Sequence, residues 1–71
     1  MTIYILYVRA GSVLLPLCYT LTEDEMCRHV AINDLTYYLY CEDDLVIRPI
    51  LIKPAERKNY MHAHEYFRLL K

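Results

Sequence analysis

The sequence has little of what makes flexible, processed or membrane-spanning segments. Its 71 residues include one glycine and one serine, which argues against linkers and low-complexity tracts. The longest strongly apolar stretch, residues 13–19, is far shorter than the roughly 20 residues of a membrane-spanning helix. The first residues lack the basic start and the cleavage site of a secretory signal. We therefore expect a soluble, cytoplasmic protein that makes no use of a membrane.

The chain also lacks paired cysteine motifs. Its three cysteines, Cys18, Cys27 and Cys41, cannot all pair with one another, and no two have CxxC spacing. This pattern predicts free thiols, and each cysteine falls on an apolar face, which favours a role as a small core residue.

The hydrophobic content predicts one packed domain over residues 1–71, because hydrophobic residues make up 56% of the chain. The net charge of −1 is unevenly distributed. Residues 1–44 carry two basic and seven acidic side chains, a net −5, and residues 45–71 carry six basic and two acidic ones, a net +4. The two halves should therefore attract each other.

A comparison of the chain with itself at an offset of 33 residues indicates an internal repeat. Seven of 38 compared positions are identical: Tyr4/Tyr37, Leu6/Leu39, Tyr7/Tyr40, Val13/Val46, Pro16/Pro49, Glu23/Glu56 and His29/His62. Such self-similarity is typical of a duplicated structural unit. We interpret residues 1–33 and 34–71 as half-repeats, each with the order strand, turn, strand, helix. Periodicity alone leaves open whether residues 35–41 form a strand or continue the first helix.

Local signals predict the elements of each half. The first half has strands at residues 3–8 and 13–20 around a turn at Gly11, and a helix that begins with the capping-box residues Thr22 and Glu25 and ends near residues 33–34. The second half has strands at 35–41 and 45–52, and a helix from Pro54 to about Leu70. Pro16 and Pro49 place both return strands at edges or bulges.

These elements predict an α+β fold, a two-layer ββαββα pseudo-repeat. A four-stranded antiparallel sheet of order 2-1-3-4 would carry both helices on one face. Because Tyr-x-Leu occurs in both halves, we assign Tyr4, Leu6 and Val8 to the helix side. The other face, which includes Ile3, would then stay uncovered.

The uncovered sheet face and the outer side of the last helix are the predicted partner-binding surfaces. Tyrosine is enriched at interface centres, and a whole sheet face of isoleucines and tyrosines is a larger apolar patch than a soluble monomer usually exposes. The predicted contact residues are Ile5, Tyr7, Tyr38 and Tyr40 on the sheet and Arg57, His64 and Arg68 on the helix. The competing interpretation is that the tyrosines fill the margins of a small core.

Chemical sites are weakly supported. Cys27-x-His29 and His62-x-His64 contain zinc-type ligands, but residues two apart on a helix point in different directions, so we interpret these histidines as helix-surface residues. His62 and Glu65 would form a helix-surface pair. The acidic turn at residues 42–44 lacks the spaced ligands of a calcium loop. We predict no metal, no cofactor and no enzymatic activity.

The function that follows is a small protein-interaction module, an inhibitor or regulator that binds a larger protein or forms a homodimer. One candidate class is a phage or mobile-element product that blocks a host defence enzyme, such as an anti-CRISPR or anti-restriction protein. That suggestion rests on chain length alone. The alternative is a single-stranded nucleic-acid-binding protein, with bases stacked on the sheet tyrosines and phosphates held by the basic C-terminal helix.

Overall fold

A computed structural model describes residues 1–33 and 45–70 of the chain. Within these ranges the protein is a small α+β domain with a three-stranded antiparallel sheet and two α-helices. In chain order the elements are β1 (Thr2–Ala10), β2 (Val13–Thr20), α1 (Glu23–Ile32), β3 (Leu45–Leu51), a 3-10 helix (Pro54–Asn59) and α2 (Ala63–Leu70). The predicted α+β class is confirmed at this level.

The hairpin of β1 and β2 follows from local sequence. Gly11 has a φ of 66°, a conformation that other residues rarely adopt, and the closing pair of the two-residue turn is Ala10 with Val13. The register shifts between Leu6 and Tyr7, where the partner positions are Cys18 and Pro16. Pro16 thus lies at an irregularity of an edge strand, as predicted, because it has no N–H group for the ladder.

Helix α1 begins at the predicted cap. The Thr22 hydroxyl oxygen accepts a hydrogen bond from the backbone N–H of Glu25 at 3.1 Å. Three acidic residues occupy the first turn, where their negative charges interact favourably with the positive end of the helix dipole. At the other end, the backbone N–H of Asn33 donates to the His29 carbonyl. The predicted helix ending near residue 33 is confirmed.

The strand order differs from the prediction. Order 2-1-3-4 requires residues 35–41 beside β1, whereas the structure places β3 (Leu45–Leu51) there, so the sheet order is β2-β1-β3. The β1–β3 register runs from Thr2 opposite Leu51 to Val8 opposite Leu45. Since β1 has β2 on one side and β3 on the other, both of its edges are occupied. The position predicted for the strand at residues 45–52, at the edge away from the first strand, is therefore wrong, because β3 is a direct neighbour of β1.

The predicted strand at 35–41 and turn at 42–44 lie outside the described residues, so the fourth strand and the pseudo-repeat are not shown. The predicted α-helix from Pro54 to about Leu70 is wrong over residues 54–62. Residues 54–59 form a 3-10 helix without a buried side chain, and α2 begins only at Ala63. Apart from Pro54 at its start, this stretch has alanine as its one apolar residue, and a helix without an apolar face gains little from packing.

The core consists of two clusters, one on each face of the sheet. The helix-side cluster joins Leu6 and Cys18 to side chains of both helices, with Tyr4 and Val8 packed against it; its buried members are Leu6, Cys18, Met26, Val30, Leu45 and Ala63. This confirms the predicted helix-facing side of β1. The second cluster has as its buried members Ile3, Ile5, Tyr19 and Ile52.

The second cluster corrects the prediction of an uncovered sheet face. The Ile5 side chain is 0% exposed, and Tyr60 packs against the same cluster. The chain after β3 passes to the far side of β2, where the Met61 carbonyl accepts a hydrogen bond from the Tyr19 N–H at 2.9 Å. Tyr60 therefore follows the end of the 3-10 helix and helps to cover the sheet face that carries Ile3 and Ile5, which we predicted to be uncovered.

Within residues 1–33 and 45–70, neither helix has the length and apolar character required to cross a membrane.

Candidate functional site

Helices α1 and α2 form a cleft on the helix side of the domain. Its volume is about 230 Å³, and it is lined by Glu25, Arg28, His29, Ile32, Asn33, Ala63, His64 and Phe67. The helical spacing of three and four residues places the α1 members on one side of that helix. The cleft combines an apolar wall with charged side chains at its rim. We name it the α1–α2 cleft.

Ile32 is the exposed apolar residue of this surface. Its side chain is 66% exposed at the C-terminal end of α1. Across the cleft, Phe67 is half-buried and Ala63 is buried. Ile32 thus extends the apolar wall of the cleft to the exposed surface of the domain.

Beneath the cleft lies a buried polar chain centred on His29, which is 6% exposed. The Asn33 side-chain amide donates to the His29 carbonyl at 2.9 Å and lies 3.3 Å from His29 Nδ1. Nδ1 therefore acts as an acceptor, which leaves the proton on Nε2, 3.7 Å from Cys18 Sγ. This arrangement requires a neutral imidazole, and burial, followed by the charge of His62, lowers the pKa of His29.

The position of His29 overturns the prediction of a helix-surface histidine. Its ring lies 5.6 Å, centroid to centroid, from that of Tyr66 on α2. The signal was present in the sequence, because His29 is three residues after Met26 and one before Val30, both of which are core residues. The prediction treats His29 as the repeat equivalent of His62 on the outer side of a helix, and it could not use Cys18 and Tyr66, which are distant in sequence.

A second polar contact joins α1 to the start of α2. His62 Nδ1 accepts a hydrogen bond from the His64 backbone N–H at 3.1 Å, so its Nε2 carries the proton and donates to Glu25 Oε1 at 3.0 Å. This link replaces the predicted His62–Glu65 pair. It also occupies the Glu25 carboxylate, which a complete capping box would use at Thr22.

The cysteines divide into two types. Cys18 is buried, and desolvation raises the pKa of its thiol to about 12. Such a thiol is protonated at neutral pH and is a poor nucleophile. Cys27 is exposed, so its predicted core position is wrong, although both residues have the predicted free thiols. Cys41 lies outside the described residues.

The predicted contact residues do not form one surface. Ile5 belongs to the core, and Tyr7 is half-buried against the second cluster. Arg57 lies in the 3-10 helix, apart from His64 and Arg68, which are exposed on α2. Of the seven residues, only His64 lines the α1–α2 cleft, and Tyr38 and Tyr40 lie outside the described residues.

Residues 1–33 and 45–70 contain no group of three or more His, Cys, Asp or Glu side chains arranged to hold an ion.

Comparison with known protein families, characterised proteins and solved structures finds no match to this chain.

Proposed function

We propose that this protein is a small, non-enzymatic interaction module, an inhibitor or regulator that acts by binding a larger protein through the surface around the α1–α2 cleft. The observation that carries the proposal is the exposed Ile32 beside an apolar-walled cleft with charged residues at its rim. Protein interfaces share this organisation, in which a few apolar anchors at the centre are surrounded by polar side chains.

The size of the cleft favours a protein partner over a small-molecule ligand. Pockets for drug-sized ligands and cofactors usually have volumes of about 300–1,000 Å³, and the α1–α2 cleft has about 230 Å³. A volume of this size suits one inserted side chain. Cys18 does not line the cleft, and its protonated, buried thiol gives little support to nucleophilic catalysis.

The nucleic-acid alternative has less support. Base stacking requires open aromatic faces, whereas Tyr7 and Tyr60 pack against the second cluster. Arg57 lies in the 3-10 helix, whereas His64 and Arg68 lie on α2, so the three residues do not follow one helix face as predicted. Gel shifts with single-stranded oligonucleotides over a salt series test this alternative, and binding that weakens as salt rises would favour it.

The test of the proposed function compares affinity capture by wild-type protein and two matched variants. Ile32→Gln removes the exposed apolar side chain from the cleft, and Leu51→Gln makes the same kind of change on β3, where Leu51 is 79% exposed. We expect a binding partner from the source cell to be retained by wild type and Leu51→Gln. Ile32→Gln should retain about fivefold less, because an interface anchor contributes more than about 1 kcal/mol.

The retained protein must then bind directly when both components are purified, with the same order of affinities. A second copy of this chain is one possible partner, and sedimentation at several concentrations detects it. Another is a host defence enzyme, which would support a phage or mobile-element inhibitor. Equal retention by all three proteins, or no specific retention by wild type, would contradict the proposal.

A further inference from the structure

We infer that the α1–α2 cleft receives an apolar side chain from a partner segment that also carries a carboxylate, so that its ligand is an acidic peptide with an apolar anchor. The inference rests on the proposed function and adds the chemistry of the segment that the partner would present.

The charges around the cleft indicate an anionic ligand. The negative charge that lines it, Glu25, already contacts His62 Nε2 at 3.0 Å. Arg28 is exposed at the rim and forms no ion pair with any other residue of 1–33 or 45–70. His64 is also exposed at the rim, where its backbone N–H donates to His62 Nδ1. Among residues 1–33 and 45–70, the Glu25 carboxylate therefore has a hydrogen-bond donor, whereas the Arg28 guanidinium has no carboxylate partner. A guanidinium binds a carboxylate through paired hydrogen bonds.

The apolar walls of the cleft indicate that the ligand has an apolar group as well as a negative charge. Ile32 and Phe67 form the apolar sides of the cleft, and Ala63 is buried between them and the sheet. An inorganic anion would contact Arg28 but would leave these surfaces in water. A side chain such as leucine, inserted while a neighbouring carboxylate contacts Arg28, would cover the apolar walls and give the guanidinium a carboxylate partner.

The experiment uses blocked tetrapeptides as defined probes. The first is Ac-Ala-Leu-Asp-Ala-NH2; a second has Asn in place of Asp, and a third has Ala in place of Leu. Each is titrated into ¹⁵N-labelled protein, and the amide resonances of α1 and α2 are followed. We expect the Leu-Asp peptide to shift the resonances of Arg28, Ile32 and His64, with a dissociation constant on the order of 1 mM for so small a ligand.

Replacing Asp by Asn in the peptide should weaken binding about two- to fivefold, the size of one partly exposed ion pair. Arg28→Gln should remove that difference, whereas Arg48→Gln, which changes an exposed arginine on β3, should preserve it. The peptide without leucine should bind more weakly than either. Thermal melts confirm that each variant is folded, which is expected because both arginines are exposed.

Several results would overturn the inference. These are equal affinity for the Asp and Asn peptides in the wild-type protein, an effect of Arg48→Gln as large as that of Arg28→Gln, resonance shifts confined to the sheet, or no binding by any peptide. If affinity capture still depends on Ile32, such a result removes the acidic-peptide chemistry and leaves the proposed function standing. If capture also fails, both proposals fail.

Discussion

Replacing Ile5 by valine removes one methylene group from a side chain that is 0% exposed. Ile5 lies opposite Tyr19 on one neighbouring strand and Arg48 on the other, and it packs in the second cluster with Ile3 and Ile52. The transfer of one buried methylene costs about 0.8 kcal/mol. With the cavity that remains, the free energy of unfolding should fall by about 0.5–1.5 kcal/mol.

The measurement is thermal unfolding followed by circular dichroism. For a domain of this size, a loss of about 1 kcal/mol lowers Tm by about 4–8 °C. The control is Leu51→Val, which also removes one carbon, but from a side chain that is 79% exposed. Its effect should stay within about 0.5 kcal/mol.

The comparison distinguishes two descriptions of the same sheet face. A buried Ile5 follows from the structure, whereas the sequence pattern predicts a solvent-exposed contact residue. If Ile5→Val and Leu51→Val have indistinguishable Tm values, the second cluster does not contribute as a core and the reasoning is refuted.

Three further predictions concern the polar chain and the cap. Because burial and His62 lower the pKa of His29, the imidazole binds a proton more readily in the unfolded chain than in the folded one. The free energy of unfolding should therefore be highest above about pH 6.5 and should fall as the pH decreases below that value. Urea unfolding at pH 7.5 and 5.5 measures this loss, which should be smaller in His29→Gln. Alkylation of native protein at pH 8, read by peptide mapping, should modify the exposed Cys27 and spare Cys18, whose thiol has a pKa of about 12. Thr22→Ala should cost about 1 kcal/mol in urea unfolding through loss of the bond to Glu25, and Thr22→Ser should restore most of it.

Each of these predictions has a result that contradicts it. An unchanged pH dependence in His29→Gln would mean that another group controls acid stability. Equal alkylation rates for Cys18 and Cys27 without denaturant would show that the helix side of the core is open. Equal stability of Thr22→Ala and wild type would mean that the start of α1 does not depend on its cap.

The first half of the fold could be predicted because its signals are local. A two-residue turn at Gly11 fixes the β1–β2 hairpin, and the Thr22 cap fixes the start of α1. These contacts join residues close together in sequence, so propensity and spacing contain the needed information. The bounds of β2, Val13–Thr20, agree with the prediction for the same reason.

The second half depends on contacts between distant residues, which spacing does not encode. The apparent repeat favoured residues 35–41 as the neighbour of β1, whereas β3 occupies that position. The helix predicted from Pro54 is interrupted because Tyr60 packs on the second cluster and His62 contacts Glu25 of α1. Neither contact can be identified from periodicity, since Glu25 and three of the four buried members of the second cluster belong to the first half of the chain.

The candidate site was largely missed for a related reason. His64 was predicted as a contact residue from its helical position and does line the cleft. Ile32 and Phe67 were not selected, because a cleft exists only when two helices meet at a particular distance and angle. Sequence periodicity describes one helix at a time and gives no information about the space between two.

The central place of β1 has a consequence for the order of assembly. This strand is made first, yet its second edge pairs with residues 45–51, and the closest such pair, Val8 with Leu45, must close a loop of more than 30 residues. On a ribosome, the β1–β2 hairpin and α1 can therefore form early, while the other edge of β1 stays unpaired until β3 emerges. The completed sheet then provides the two faces on which Tyr60 and α2 pack. Ordered packing of Tyr60 and α2 therefore requires that β1 has already paired with both β2 and β3.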